Sequence, residues 1–330
     1  MPELYESAGV MLERVEVTDP LGTIDYIYPV DRAKIDHIRL AVELSSSHAT
    51  GDIVPLDADP DRFPAQGSYF MSSTPKPPEF CRLVGKEIDP RFPSILDAVL
   101  ADPRKEDILK RIGDTLAAGN NVVNAVPHGS LKDIGMLHGI MVLGLAELDY
   151  DVRSGTIISQ GVTGLGKKFA GELVPLTNAL GYASNKVWYV TPRTKNAENS
   201  RYANEVPAEL IDQQNRVNRA DIVTEQRVGG MVITAAMSGT SFVPDGDHLR
   251  VLPPNLSTLR LFAHSNTFVA VVSGDIDGRE DFVYEISPEL RQLSGTDEEL
   301  VRQGDELMQE MTDGLNIDDS ETFVYDRALS

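Results

Sequence analysis

The chain has 330 residues, 41% of them hydrophobic, which is enough to bury a sizeable core and excludes a wholly disordered protein. Its 51 acidic residues against 30 lysines and arginines leave a net charge of −21, a field that excludes nucleic acid as a generic partner. No apolar run reaches the ~18 residues that a spanning helix needs, and residues 1–17 carry neither a basic leader nor an apolar signal core, so a cytoplasmic location is expected. In chain order, residues 1–118 are expected to form an N-terminal helical region, punctuated by Pro55–Pro60 and Thr74–Pro78. Within it the spacing of Ile108, Leu109, Ile112 and Leu116 predicts a helix over 104–118, stopped by Gly119. The single cysteine, Cys81, excludes an internal disulfide or a cysteine metal cluster and is expected to pack.

From Gly119 short β-branched runs alternate with helix-length segments. Strands are predicted at 121–126, 156–159, 187–190, 231–236 and 268–272. Helices are predicted over 132–148, with Ile134, Leu137, Ile140, Met141, Leu145 and Leu148 at helical spacing, over 169–180 with a break at Pro175, and over 207–217. This alternation predicts an α/β domain over 119–280, with a mixed, largely parallel sheet flanked by helices. Residues 281–330 hold 14 acids and 3 arginines, half of the whole charge excess, and are expected to be an acidic, solvated helical extension.

The strand 121–126 runs into Pro127-His128-Gly129-Ser130-Leu131-Lys132-Asp133. On one regular helix His128 and Asp133 would stand about 140° apart, so they pair only if His128 lies in the loop and Asp133 in the first helical turn. Asp133 then orients the imidazole, leaving one nitrogen to take a proton from a substrate hydroxyl. The same residues also have an ordinary reading: Ser130 and Asp133 form a Ser-x-x-Asp helix cap, and His128 is a loop histidine.

The His-x-x-x-x-Asp spacing after a strand resembles the signature of the glycerolipid acyltransferase family, the glycerol-3-phosphate and lysophosphatidate acyltransferases. Further blocks resemble the family in its own order: Lys167-Lys168-Phe169 leading to Gly181 with Arg193 beyond, Val232–Thr240, and Phe268–Gly274. Two departures stand out. Met237 and Ser241 occupy the third block where the family has proline and a phosphate-binding arginine, and the fourth block lacks its proline. The resemblance implies His128 and Asp133 as catalytic residues, with Lys186, Arg193, Lys195, Ser238, Gly239 and Thr240 binding substrate. Arg201 and Arg250 are further candidates for the phosphate. Backbone N–H groups around Ser238-Gly239-Thr240 or at a helix N-terminus are the candidates to stabilise the charged tetrahedral intermediate. The implied reaction moves an acyl group from acyl-CoA or an acyl carrier protein to the hydroxyl of glycerol 3-phosphate or a related phosphorylated acceptor. It needs no metal or cofactor, and release of product implies transient contact with a membrane surface.

Three other readings stay open. An acyl- or lipid-binding protein of the same fold without catalysis fits the altered third block. Gly161–Lys168 nearly makes the phosphate-cradling loop of nucleotide hydrolases but has Lys168 where a hydroxyl would meet Mg²⁺. Ser238, Ser241 and His264 supply the residue types of a serine hydrolase without its Gly-x-Ser-x-Gly elbow. His37, His48, His138 and His248 lack metal-ligand spacing, and His138 is expected in the core or lining a groove.

Overall fold

The computed structural model describes residues 3–7, 10–19, 22–29, 70–72, 81–82, 85–86, 89–129, 131–158, 180, 184–189, 208–239, 242–275, 282–316 and 322–325. They divide into two compact units, one of Met1–Phe92 with Gly155–Ile222 and one of Pro93–Ser154 with Val223–Ser330. The first unit opens with an antiparallel sheet of β1 (Glu3–Ser7), β2 (Val10–Asp19) and β3 (Gly22–Pro29). The expected N-terminal helical region is corrected here. Val15, Val17, Thr23, Ile24, Tyr26, Ile27 and Tyr28 are strand formers, and the two-residue gap between β2 and β3 is hairpin spacing. The same unit carries β4 (Phe70–Ser72), antiparallel to β7 (Ser184–Tyr189), and, from Gly155 on, β6 (Arg153–Ile158), which covers most of the strand predicted at 156–159. Trp188 of β7 is fully buried, and its Nε1 donates to Asp221 Oδ2 at 2.6 Å on α4 (Ala208–Val228). That bond satisfies the indole donor that burial would otherwise strand. Cys81 is buried, in line with a packing role.

In the second unit helical character does appear before Gly119. The segment α1 (Phe92–Ala101) buries Phe92, Ile95, Leu96 and Val99, one stripe at helical spacing. Its successor α2 (Pro103–Ala117) starts at Asp102, whose carboxylate accepts from the Arg104 N–H at 2.9 Å, with Pro103 in the first turn. An Asp102→Ala variant is expected to lose about 1 kcal/mol of stability, read as a lower midpoint in denaturant at unchanged slope. Ile108, Leu109, Ile112 and Leu116 form the buried face of α2 as the spacing predicts, and Gly119 ends it at φ +82°.

Four strands follow as neighbours in one sheet. The central β5 (Asn121–Val126) is parallel to β11 (Thr267–Asp275) on one side and to β8 (Met231–Ala236) on the other. At the edge β12 (Val283–Ile286) runs antiparallel to β11. Every residue of β5 is buried, which is why its sequence lacks a polar alternation. Crossing over from β5, α3 (Leu131–Glu147) is buried from Asp133 to Ala146, and its Leu137 sits over Gly274, where a Cβ would lie 2.3 Å from Leu137 Cδ2. The chain is therefore an α/β protein with a mostly parallel, mixed sheet flanked by helices.

The C-terminal 50 residues depart from expectation. Instead of a solvated appendage, α6 (Asp297–Leu315) buries Leu300, Leu307, Met308, Met311 and Leu315, and Ser273 Oγ of β11 donates to the Met311 carbonyl at 2.8 Å. The acids occupy the opposite face, so charge counted along the sequence hid an amphipathic helix. Thr296 and Glu299 close its N-terminus as a reciprocal capping box. Gly304 lets α6 approach α5 (Leu256–Phe262), since a Cβ there would lie 2.8 Å from Leu259 Cδ1. Beyond it β13 (Thr322–Tyr325) pairs in parallel with β10 (His248–Val251), which pairs antiparallel with β9 (Val243–Asp245). No described helix is long and apolar enough to cross a membrane.

Candidate active site

Because β5 and β8 are parallel and in register at Val126 and Ala236, the chain leaves both strands at the same level. From β5 it continues into buried Pro127 and half-buried His128, and from β8 into the turn Met237-Ser238-Gly239. The two exits are tied by backbone: the Phe242 N–H donates to the His128 carbonyl at 3.1 Å. On the far side of His128, Asp133 lies in the first turn of α3 with 1% of its surface exposed. The positions predicted for both residues are therefore the positions found.

Gly129 makes this proximity possible. A Cβ on it would lie 2.8 Å from Asp133 Oδ2 and 3.4 Å from Phe242 Cε2, so the carboxylate packs directly on the loop backbone. Gly129→Ala is expected to push the carboxylate aside and, in an active enzyme, to lower kcat by about 10- to 100-fold with little change in melting temperature. A kcat at the wild-type value would separate Asp133 from the chemistry.

His128 titrates below the ordinary imidazole value. Burial is the main cause, opposed by hydrogen bonds to the backbone at His128 and Gly129 and by the negative charge of Asp133. The imidazole is thus neutral at neutral pH, the form that accepts a proton. Asp133 then favours the imidazolium that proton transfer creates.

One layer beneath, Asn124 of β5 and Thr234 of β8 face each other across the ladder, and Asn124 Nδ2 donates to Thr234 Oγ1 at 3.1 Å. His138 of α3 completes the group, its Nδ1 2.9 Å from the same hydroxyl. All three are fully buried. His138 is thus a core residue, one of the two settings expected for it. Asn124 and Thr234 escaped the sequence reading, although each interrupts an otherwise apolar strand, and that interruption is the signal that could have found them.

The turn after β8 engages one of the candidate oxyanion donors. The Gly239 N–H donates to the Ala236 carbonyl at 3.0 Å and closes the turn with Gly239 at φ +67°, so this donor is already engaged within the turn. Ser238 is half-buried in that turn. Arg250 pairs with Asp245, which also lies 3.6 Å from His248 Nε2. Lys186 belongs to the first unit, where its backbone pairs with Met71. Arg193, Lys195, Arg201, Thr240, Ser241, Ser130 and the loop Gly161–Lys168 lie outside the described residues. His264 sits in the turn before β11, at the opposite end of the parallel strands from Ser238, about 20 Å away at ~3.3 Å per residue, so those two residues do not form a hydrolase pair. Among the described residues no three His, Cys, Asp or Glu side chains converge to hold a metal ion.

Comparison with known protein families and with curated proteins finds no match to this chain.

Proposed function

We propose that this chain is an O-acyltransferase that moves a fatty acyl group from a thioester, acyl-CoA or an acyl carrier protein, to the hydroxyl of a phosphorylated acceptor such as glycerol 3-phosphate. The observation that carries this reading is the meeting of the His128–Asp133 turn and the Met237–Gly239 turn at the ends of two adjacent parallel strands, tied from Phe242 to His128. Ligands of open α/β sheets bind beyond the carboxyl ends of the strands, and both turns lie there. Resemblance alone placed these blocks far apart in sequence, and the fold makes the first, third and fourth of them neighbours on β5, β8 and β11.

In this reading His128 takes the proton of the acceptor hydroxyl. The oxygen attacks the thioester carbon, the C–O bond forms, the C–S bond breaks, and the thiolate leaves with the proton that the imidazole returns. Asp133 stabilises the transient imidazolium through its charge. The acceptor phosphate falls to Arg193 and Lys195, a basic pair in an acidic chain. Binding of an acyl or lipid ligand without turnover is the second reading, favoured by the engaged N–H of Gly239 and by Ser241 in place of the family's arginine.

The test is acyl transfer from acyl-CoA and acyl carrier protein donors to glycerol 3-phosphate and lysophosphatidate, with wild type and His128→Ala in parallel. Turnover that disappears in a folded His128→Ala identifies donor and acceptor together. No turnover with any pair, alongside saturable binding of acyl-CoA, would replace catalysis with the binding reading.

A further inference from the structure

We propose that the buried Asn124–Thr234–His138 group is a positioning device that locks the rotation of α3, and with it the placement of Asp133 beside His128. This deepens the acyltransferase reading and rests on it for its catalytic consequence, though not for its geometry.

The argument starts from the surface of α3. Every residue from Asp133 to Ala146 is buried, on all sides of the helix, and apart from Asp133 and His138 their side chains are apolar. Contacts of that kind are non-directional, so they fix the depth of a helix better than its rotation. A hydrogen bond in the same interior is directional, and a mismatch strands buried polar atoms. His138 provides one such bond to β8, and it lies five residues from Asp133, about 7.5 Å along the helix axis. Thr234 in turn is held to β5 through Asn124. The three residues therefore join the three elements that present the site: β5 leads to His128, β8 leads to Ser238, and α3 carries Asp133. Turning α3 by one residue, about 100°, would break the His138 contact and swing Asp133 away from Gly129.

The test uses Thr234→Val, which keeps shape and strand propensity while removing the hydroxyl, with Thr234→Ser restoring the hydroxyl. Asn124→Leu cuts the same group from its other end. The first readout is the titration of His128 followed by NMR of its imidazole carbon, which needs no activity. Since the charge of Asp133 raises the His128 pKa, loosening α3 is expected to lower the titration midpoint in Thr234→Val and Asn124→Leu and to leave Thr234→Ser at the wild-type value. The second readout is kcat, expected to fall by about 10- to 100-fold in Thr234→Val with KM little changed. A Thr234→Val protein that melts earlier while keeping the wild-type His128 midpoint would overturn the proposal and leave the group as ordinary core. A shifted midpoint in a protein with no acyl transfer would instead uphold the positioning role and refute the acyltransferase reading.

Discussion

Replacement of His128 by alanine is expected to lower kcat/KM for acyl transfer by about 10²- to 10⁴-fold, the usual contribution of a positioned general base, without unfolding the protein. The side chain is only half-buried, and the neighbouring tie to Phe242 uses the backbone carbonyl of residue 128, which alanine keeps. The pH dependence gives the same prediction a sign. Burial lowers the imidazole pKa below 6.5, so the neutral base persists into mildly acidic solution. Wild-type kcat/KM is therefore expected to be flat through neutrality and to fall on an acid limb whose midpoint lies below 6.5. In His128→Ala the residual rate is expected to lose that limb. Stability follows the same group. Its folded-state pKa lies below the unfolded value, so the unfolded chain takes up the proton more readily. The contribution to stability is complete above pH 6.5 and is lost as pH falls through the folded-state pKa. A limb that survives in His128→Ala would assign the acid titration to another group.

The largest expected loss of stability belongs to Gly229→Ala. Gly229 closes α4 at φ +80°, and a Cβ there would lie 2.1 Å from the Gly119 carbonyl oxygen. Both glycines stand where the chain enters parallel neighbours, Gly119 before β5 and Gly229 before β8, and the Gly230 N–H donates to the Asn120 carbonyl between them. Alanine must then pay for a left-handed backbone, ~1–2 kcal/mol, and for displacing backbone that cannot rotate away, ~1–3 kcal/mol. A total of about 2–5 kcal/mol is a large part of the ~5–15 kcal/mol that holds an ordinary domain. Gly119→Ala separates the two terms, because its φ is +82° but nothing lies within 4 Å of the Cβ position. It is expected to cost only the backbone term, ~1–2 kcal/mol. Equal losses in the two variants, measured by chemical denaturation, would refute the close approach.

Local pattern settled what depends on neighbours along the chain. The β-branched runs 121–126 and 231–236 became β5 and β8 at those limits, because a strand buried on both faces needs no alternation. The stripe Ile108, Leu109, Ile112 and Leu116 became the inner face of α2, and the Pro-His-Gly turn put His128 before α3 and Asp133 inside it. Where charge or punctuation was counted without its geometry, the reading failed. The acids of 281–330 share α6 with a buried apolar face, and the prolines of the first hundred residues punctuate a chain whose β-branched and aromatic runs form β2 and β3. Sequence alone determined that the protein is α/β, that its surface is strongly acidic, and that a histidine and a carboxylate stand at one strand exit. Only the tertiary structure decided that the exit of β8 lies beside that of β5, that the Gly239 N–H is engaged within its own turn, and that Asn124, Thr234 and His138 meet beneath the site. Apart from that turn, these are pairings between residues about 100 positions apart, set by strand register and helix rotation, and no local spacing encodes them.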